Sequence, residues 1–493
     1  MSFSANSTRT ISGIGPDDGG SMLIAATRTD GLGGRLLAMV NAKSLADRLG
    51  CRFGFTWNSR AVSNQESHSV DVVRNVFSEK FIDRHWLGEK ISRSCFGVLG
   101  EAAFTPASLD TLARQRRLRG WICDEFDVLD NCSEDGAGSI GRSETLRAFG
   151  FSPRVRQALD AAASCRFPGP MAALHLRSGD IVRGHHRRSL VFANKVIPST
   201  LARAIVTELS SRGLKTLLVG QDQATLDYIK AETGALLATD FGSGELEGET
   251  ANTFFQMALM ARCQQIHAGG SIYAVVASVM GDRPCIGADA LFGQRSAAEI
   301  VLEELRTREA HYHPLEAAFG YQWALLSLED EIGPARTREI LGRALALDPE
   351  NDGYPMKIAG TFFREGNHAA GEAILKSVMT AQSRRRTKIP LPVMEIMERV
   401  AKDRFVSRND IEALSTAAKA GHPYAMGCCA YLLAEVAEDR KSGLEMAARL
   451  LAAEPGNPIF RRIRQRVALG KKPEPRLLAR IIWRLGWLRP PWR

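Results

Sequence analysis

The strongest constraint on the fold is an alternation. Short apolar runs, most of them ending at a glycine, serine or aspartate, are each followed by a stretch whose apolar residues recur with helical spacing. Residues 21–28 (SMLIAATR) read as a buried strand that runs into a glycine-rich turn, Asp30-Gly31-Leu32-Gly33-Gly34-Arg35. A helix over about 36–49 follows, with Ala38, Ala42, Leu45, Ala46 and Leu49 on one face and Gly50 as its stop. Residues 51–57 (CRFGFTW) supply the next strand, completing a βαβ unit. Helices and loops mix between 66 and 165 in no readable order. The alternation restarts at Met171, with strands expected from 171 and at 216–220, 235–238, 265–268 and 283–287, and helices at 198–212, 223–233, 252–262 and 272–280. Unbroken apolar strands separated by helices indicate parallel sheets covered on both faces. The expected fold class is therefore α/β, with two Rossmann-like domains in tandem and a cleft between them.

Within that pattern one hexad carries chemistry: His175-Leu176-Arg177-Ser178-Gly179-Asp180, directly after the apolar run 171–174. Open α/β sheets bind ligands at the C-terminal ends of their strands. A strand that delivers a histidine, an arginine and an aspartate there is suited to an anion, because guanidinium is a planar, permanently charged fork of donors. A structural Arg–Asp pair at a strand end is the plainer alternative. Two further turns can offer backbone N–H groups to an anion: Gly31 to Arg35, and Gly269-Gly270-Ser271 before Ile272, at a helix start.

From about 310 the strands vanish. Ala344-Leu-Ala-Leu-Asp-Pro349-Glu-Asn351 and Leu450-Leu-Ala-Ala-Glu-Pro455-Gly-Asn457 resemble each other and the end of a tetratricopeptide unit, and their prolines are 106 residues apart, close to three such units. A short helical-repeat array is expected, with an unrelated helical bundle as the alternative. The domain expectation is a disordered tail at 1–20, sheets at 21–165 and 166–305, helical repeats at 306–460 and a basic tail at 461–493. Residues 461–493 hold eleven Lys/Arg and one acid, a net of +10, so the overall charge of +9 leaves −1 for the rest. A near-neutral body argues against nucleic-acid binding. In the tail, Arg476, Arg480 and Arg484 oppose Leu478, Ile481, Ile482 and Leu485, a pattern that suits either a membrane surface at 475–489 or packing on the repeats. The nine cysteines form no C-x-x-C pair and the N-terminus has no signal-peptide core. A cytoplasmic protein, peripheral on the inner membrane face if the tail binds lipid, is expected.

These motifs resemble the GDP-fucose-using fucosyltransferase superfamily of GT-B fold, which includes α-1,2-, α-1,6- and protein O-fucosyltransferases. Gly31-Leu-Gly-Gly-Arg-Leu is similar to the family's first glycine loop, with Gly34 where the family has asparagine. His175 to Asp180 resembles its H-x-R-x-[GD]-D motif. Leu217-Leu-Val-Gly-Gln-Asp222 resembles a strand that ends in Ser/Thr-Asp, and 255–278 its closing motif, with Gln264 and Ile272-Tyr273 as departures. The resemblance spans about 21–300. It implies a metal-independent, inverting glycosyltransferase that moves a sugar, fucose first, from a GDP-sugar to a glycan or glycoconjugate.

Under that resemblance Arg177 stabilises the diphosphate leaving group and Asp180 orients Arg177 or its turn. Gly31, Gly33, Gly34, Arg35, His175, Asp222, Gly270, Ser271 and Ile272 line the donor. Asp30 is a candidate base for the acceptor hydroxyl, or else a turn residue. His185-His186-Arg187-Arg188 could grip an anionic donor or acceptor, with an ordinary solvated loop the favoured expectation. No Asp-x-Asp motif calls for a metal, and no cofactor is implied. The repeats offer a surface for a protein partner. The departures from the motifs keep a second reading open: a decayed transferase acting as a scaffold or binding protein.

Overall fold

A computed structural model describes residues 22–61, 69–100, 103–132, 141–188, 193, 195–328, 331–384, 408–435 and 437–469. The expected tails at 1–20 and 475–489 lie outside the described residues. The chain forms two compact units. The first holds residues up to Arg177 together with 195–197 and 202–291, and the second holds 178–194, 198–201 and everything from Phe292 onward.

The first unit contains two sheets, and every named pairing in both is parallel. One is built from β1 (Leu23–Ala26), β2 (Arg52–Phe55), β3 (Phe96–Val98) and β4 (Gly120–Ile122), in the order β2-β1-β4-β3. The other is built from β5 (Met171–Leu176), β6 (Lys215–Gly220), β7 (Leu236–Leu237), β8 (Gln265–His267) and β9 (Cys285–Ile286), in the order β7-β6-β5-β8-β9. β5 lies at the centre of its sheet, and all six of its residues are buried, as expected of a strand covered on both faces. The expected strands are thus present, most of them shorter than their apolar runs. β3 and β4 come from the stretch whose order the sequence did not reveal.

The first helix begins a full turn earlier than its apolar face implied. It spans Leu32–Leu49, so Gly33 and Gly34 are not a loop but its first turn. Its mid-section from Gly34 to Ala42 is buried on every side, and the polar Arg35 and Asn41 lie inside. Beneath β2 an aromatic cluster closes the core: Phe77 stacks on Phe81 at 5.2 Å and on Phe151 at 5.9 Å, and meets Trp57 edge-on at 5.3 Å.

The described part of the second unit is almost wholly helical, from Gln294–Arg308 and Pro314–Leu328 to Pro458–Leu469, with most helices packed on the one before them and Arg408–Lys419 packed on Gly353–Arg364. The two Pro-x-Asn segments fold alike. Asp348 ends helix Pro334–Leu347 with φ, ψ of −132°, 75°, and Glu454 ends helix Arg440–Ala453 with −134°, 78°. In each, the asparagine N–H returns to that carbonyl (3.2 and 3.1 Å), and the asparagine side chain accepts from the backbone two residues on (3.1 and 2.9 Å). The likeness between the two sequences is therefore a likeness of local structure.

Candidate functional site

The topology of the second sheet defines a crevice. The chain leaves β5 for β6 on one side and reaches β8 on the other, so the loops after β5 and β8 diverge. Such a switch point, at the C-terminal edge of a parallel sheet, is where α/β proteins seat ligands. Leu174 of β5 pairs with His267 of β8. Arg177 and Gly270, each three residues further on, therefore emerge at the same edge. Arg177 is half-buried there. His175, still within β5, is 6% exposed, and its ring lies 5.2 Å from that of Tyr273 at an interplanar angle of 29°.

The turn after β8 leads into helix Ile272–Gly281. Gly269 runs directly against the Lys195 backbone, where any Cβ would lie 2.4 Å from a carbonyl carbon. The N–H of Ser271 was expected to face the donor. It is instead taken by the Gly269 carbonyl at 2.6 Å, because the chain reverses tightly there. The Ser271 hydroxyl is fully buried and has no partner among the described residues. The helical ladder then starts with Val275 donating to Ser271, so the N–H groups of Ile272 and the next two residues lie outside it. They are the donors this end of the helix offers, with the positive end of the helix dipole behind them.

The first sheet brings its own helix start to the same place. A Cβ on Gly33 would lie 3.3 Å from the Ile272 carbonyl, so the N-termini of helices Leu32–Leu49 and Ile272–Gly281 touch through backbone. Gly31 is the residue before the first of these helices. Gly34 carries no side chain because the Asp30 carboxylate fills that space: a Cβ would sit 2.4 Å from Oδ1. Asp30 Oδ2 accepts from Arg28 Nε at 2.6 Å, and Oδ1 is buried with no hydrogen-bond partner among the described residues. The carboxylate is thus shut against the helix on one side and ion-paired on the other, which fits an anchoring group better than a base.

Arg35 corrects a second expectation. It is 1% exposed and its guanidinium points inward, donating to the carbonyls of Asp30 (2.7 Å), Asn58 (2.6 Å) and Thr29 (2.8 Å) and lying 5.1 Å from the Trp57 ring. Burial, with Arg60 nearby, pulls its pKa down to about 10, which leaves it charged at neutral pH. Arg35 shapes the turn from within. Asp222 precedes helix Gln223–Thr233 at the end of β6 and accepts from the Thr225 hydroxyl.

The sequence reading missed Asp124. It follows β4 and accepts from the Thr27 N–H (2.6 Å), the Thr27 hydroxyl (2.7 Å) and Arg93 (2.7 Å), joining the loops after β1 and β4 at the switch point of the first sheet. A signal was present, since the apolar run Trp121-Ile122-Cys123 ends in this aspartate as 171–176 ends near Asp180.

In the second unit, the hexad continues into the short helix Gly179–Val182. Gly179 has φ of +41°, a left-handed conformation that glycine adopts without strain. Asp180 lies 3.9 Å from His186 Nε2. Glu316, in the first turn of helix Pro314–Leu328 and 2% exposed, was also missed. One of its oxygens accepts from the Ser178 hydroxyl and lies 3.5 Å from Arg183, and the other accepts from Ser199 at 2.9 Å. The expected solvated loop at 185–188 is pinned as well. Arg187 donates to Asp348 (3.1 Å) and Glu350 (2.7 Å), and Arg188 reaches Glu350 (3.2 Å). Among the described residues no group of three or more His, Cys, Asp or Glu could hold a metal ion, and no helix is long and apolar enough to cross a membrane.

No family model matches the sequence, and no curated protein matches it. Solved structures do. The fucosyltransferase NodZ from Bradyrhizobium aligns over 54% of this chain and 94% of its own, at 16% identity and a TM-score of 0.33. NodZ alpha-1,6-fucosyltransferase co-crystallized with GDP gives 17% identity, the same coverage and 0.33. POFUT1 in complex with GDP-fucose gives 10% identity over 54% of this chain and 98% of its own, with a TM-score of 0.32. Values this low transfer no activity.

Proposed function

We propose that the chain is a glycosyltransferase of GT-B architecture that moves a sugar, with fucose the first candidate, from a GDP-sugar to a glycan or glycoconjugate, with inversion and without a metal. The observation that carries this reading is the convergence of Arg177 and the Ile272–Gly281 helix start on the crevice between β5 and β8, with the Leu32–Leu49 helix start in backbone contact. A guanidinium and unpaired helical N–H groups at one switch point are suited to a diphosphate.

In that reaction the C1–O bond to the diphosphate breaks while the acceptor oxygen bonds to C1 from the opposite face. Negative charge grows on the departing phosphate. A fixed guanidinium at Arg177 binds that charge more strongly in the transition state than in the ground state, and this difference is what accelerates the step. The helix N-terminus at Ile272 adds to it, Gly270 is the exposed glycine of the turn before that helix, and His175 on Tyr273 forms the floor. Asp222 is placed for the nucleoside. Asp30, Gly31, Gly33, Gly34 and Arg35 shape the facing wall. The helical unit supports the loop after β5, and its like Pro-x-Asn turns support a repeat array.

The experiment is turnover of GDP-fucose, by hydrolysis or transfer, with EDTA present. Wild-type protein is expected to release GDP and Arg177→Ala to lose this by on the order of a hundredfold or more. Turnover that survives the substitution removes Arg177 from the leaving group. Failure of GDP and GDP-sugars to bind at all would support the decayed, scaffold reading.

A further inference from the structure

Resting on the transferase reading, we infer that Glu316 is a positioning residue for the leaving-group arginine: the helical unit sets the geometry of the donor loop through it. Ser178, its direct partner, is joined to Arg177 by a peptide bond. The Ser178 side chain is 4% exposed as a residue and donates to Glu316, whose second oxygen holds Ser199 and whose charge faces Arg183. One buried carboxylate therefore ties three points of the segment between β5 and β6 to a single helix. That helix approaches the segment closely, since Gly320, one turn on from Glu316, has room only for the Thr200 side chain: a Cβ there would lie 2.7 Å from its hydroxyl.

A carboxylate in this position would be costly if it served packing alone. Burying a charge is unfavourable unless it is hydrogen-bonded and paired, and an apolar residue would fill the space without that cost. What the carboxylate adds is direction: two acceptor oxygens fix two hydroxyls, and the backbone of Ser178 with them. The residue whose side chain must meet a developing charge is the next one back along the chain. Displacement of such a group by about 1 Å costs on the order of a hundredfold in rate.

The test is steady-state turnover of GDP-fucose by full-length wild type, Glu316→Ala, Glu316→Gln and Ser178→Ala, with GDP-binding stoichiometry giving the folded fraction. Per binding-competent molecule, Glu316→Ala should lose on the order of a hundredfold in kcat with KM for GDP-fucose changed less than about threefold. Glu316→Gln keeps an acceptor oxygen for one serine and sets an amide nitrogen, which only donates, against the other hydroxyl, so its kcat should fall between that of Glu316→Ala and wild type. Ser178→Ala, a milder change that keeps the carboxylate, should lose about tenfold and decides the matter if Glu316→Ala does not fold. A kcat per binding-competent molecule equal to wild type in Ser178→Ala or Glu316→Ala overturns the inference while leaving the transferase reading intact. A wild type that binds GDP but turns nothing over, or binds none, overturns both.

Discussion

The carboxylate of Asp30 occupies the space that a side chain on Gly34 would fill. The two residues are four apart, and a Cβ at 34 would lie 2.4 and 2.5 Å from the two carboxylate oxygens. With Arg28 on the outer oxygen and Arg35 on the Asp30 carbonyl, the aspartate is a peg that holds the entry to the first helix. Gly34→Asn, which would install the residue found in the resembling family, should destabilise the protein by about 1–3 kcal/mol through overpacking. Adding Asp30→Gly should recover at least half of that, because the two changes share one space. Urea unfolding of the two single variants and the double variant measures the coupling, and additive losses would remove the steric link.

Arg35 tests the same turn from inside. Its guanidinium donates to three carbonyls and stacks near Trp57. A lysine is a point charge that cannot reproduce the fork, so Arg35→Lys should cost about 2–4 kcal/mol by leaving carbonyls unmet in a buried site. Unfolding midpoints give the stability. GDP affinity per folded molecule should change less than threefold, since the side chain does not face the donor; a specific loss of GDP binding with unchanged stability would return Arg35 to the donor site.

Ser271 should behave in the opposite way. Its hydroxyl is buried at the start of the Ile272–Gly281 helix with no partner among the described residues. Removing an unsatisfied buried hydroxyl costs little, so Ser271→Ala should keep its stability within about 0.5 kcal/mol or gain slightly. If the hydroxyl meets a phosphate when the donor binds, GDP affinity should fall roughly ten- to a hundredfold, the worth of one hydrogen bond to a charged group. Calorimetric titration with GDP reads this directly, and unchanged affinity would place Ser271 outside the phosphate site.

These cases show what was legible in the sequence and why the rest was not. The strands, the hexad and the turn before Ile272 announce themselves locally, through apolar runs, glycine and helical spacing. The direction of a side chain does not: nothing near Arg35 says that its fork turns inward, because its partners are carbonyls whose orientation exists only once the turn is folded. Glu316 was hidden for a different reason. It lies 138 residues beyond Ser178, and an acid in the first turn of a helix is ordinary there. Asp124 was readable in principle, at the end of an apolar run, but the short strands around it carry too few residues to show a period.

Acid sensitivity of the second sheet follows from His267. The residue is fully buried in β8, neither ring nitrogen has a partner among the described residues, and burial, with Arg212 adding to it, pulls its pKa down from 6.5 to about 4. The folded state therefore holds the neutral ring, while the unfolded chain protonates it below about pH 6.5. Stability from this group is complete above pH 6.5 and is lost as pH falls from 6.5 towards 4, amounting to up to roughly 3 kcal/mol. His267→Leu places an apolar residue beside Leu174, its strand neighbour, and should flatten that part of the pH profile while leaving stability at pH 7.5 within about 1.5 kcal/mol of wild type. Chemical unfolding of both proteins at pH 7.5, 6, 5 and 4.5 supplies the comparison. An unchanged acid slope in the variant would assign the titration to other groups.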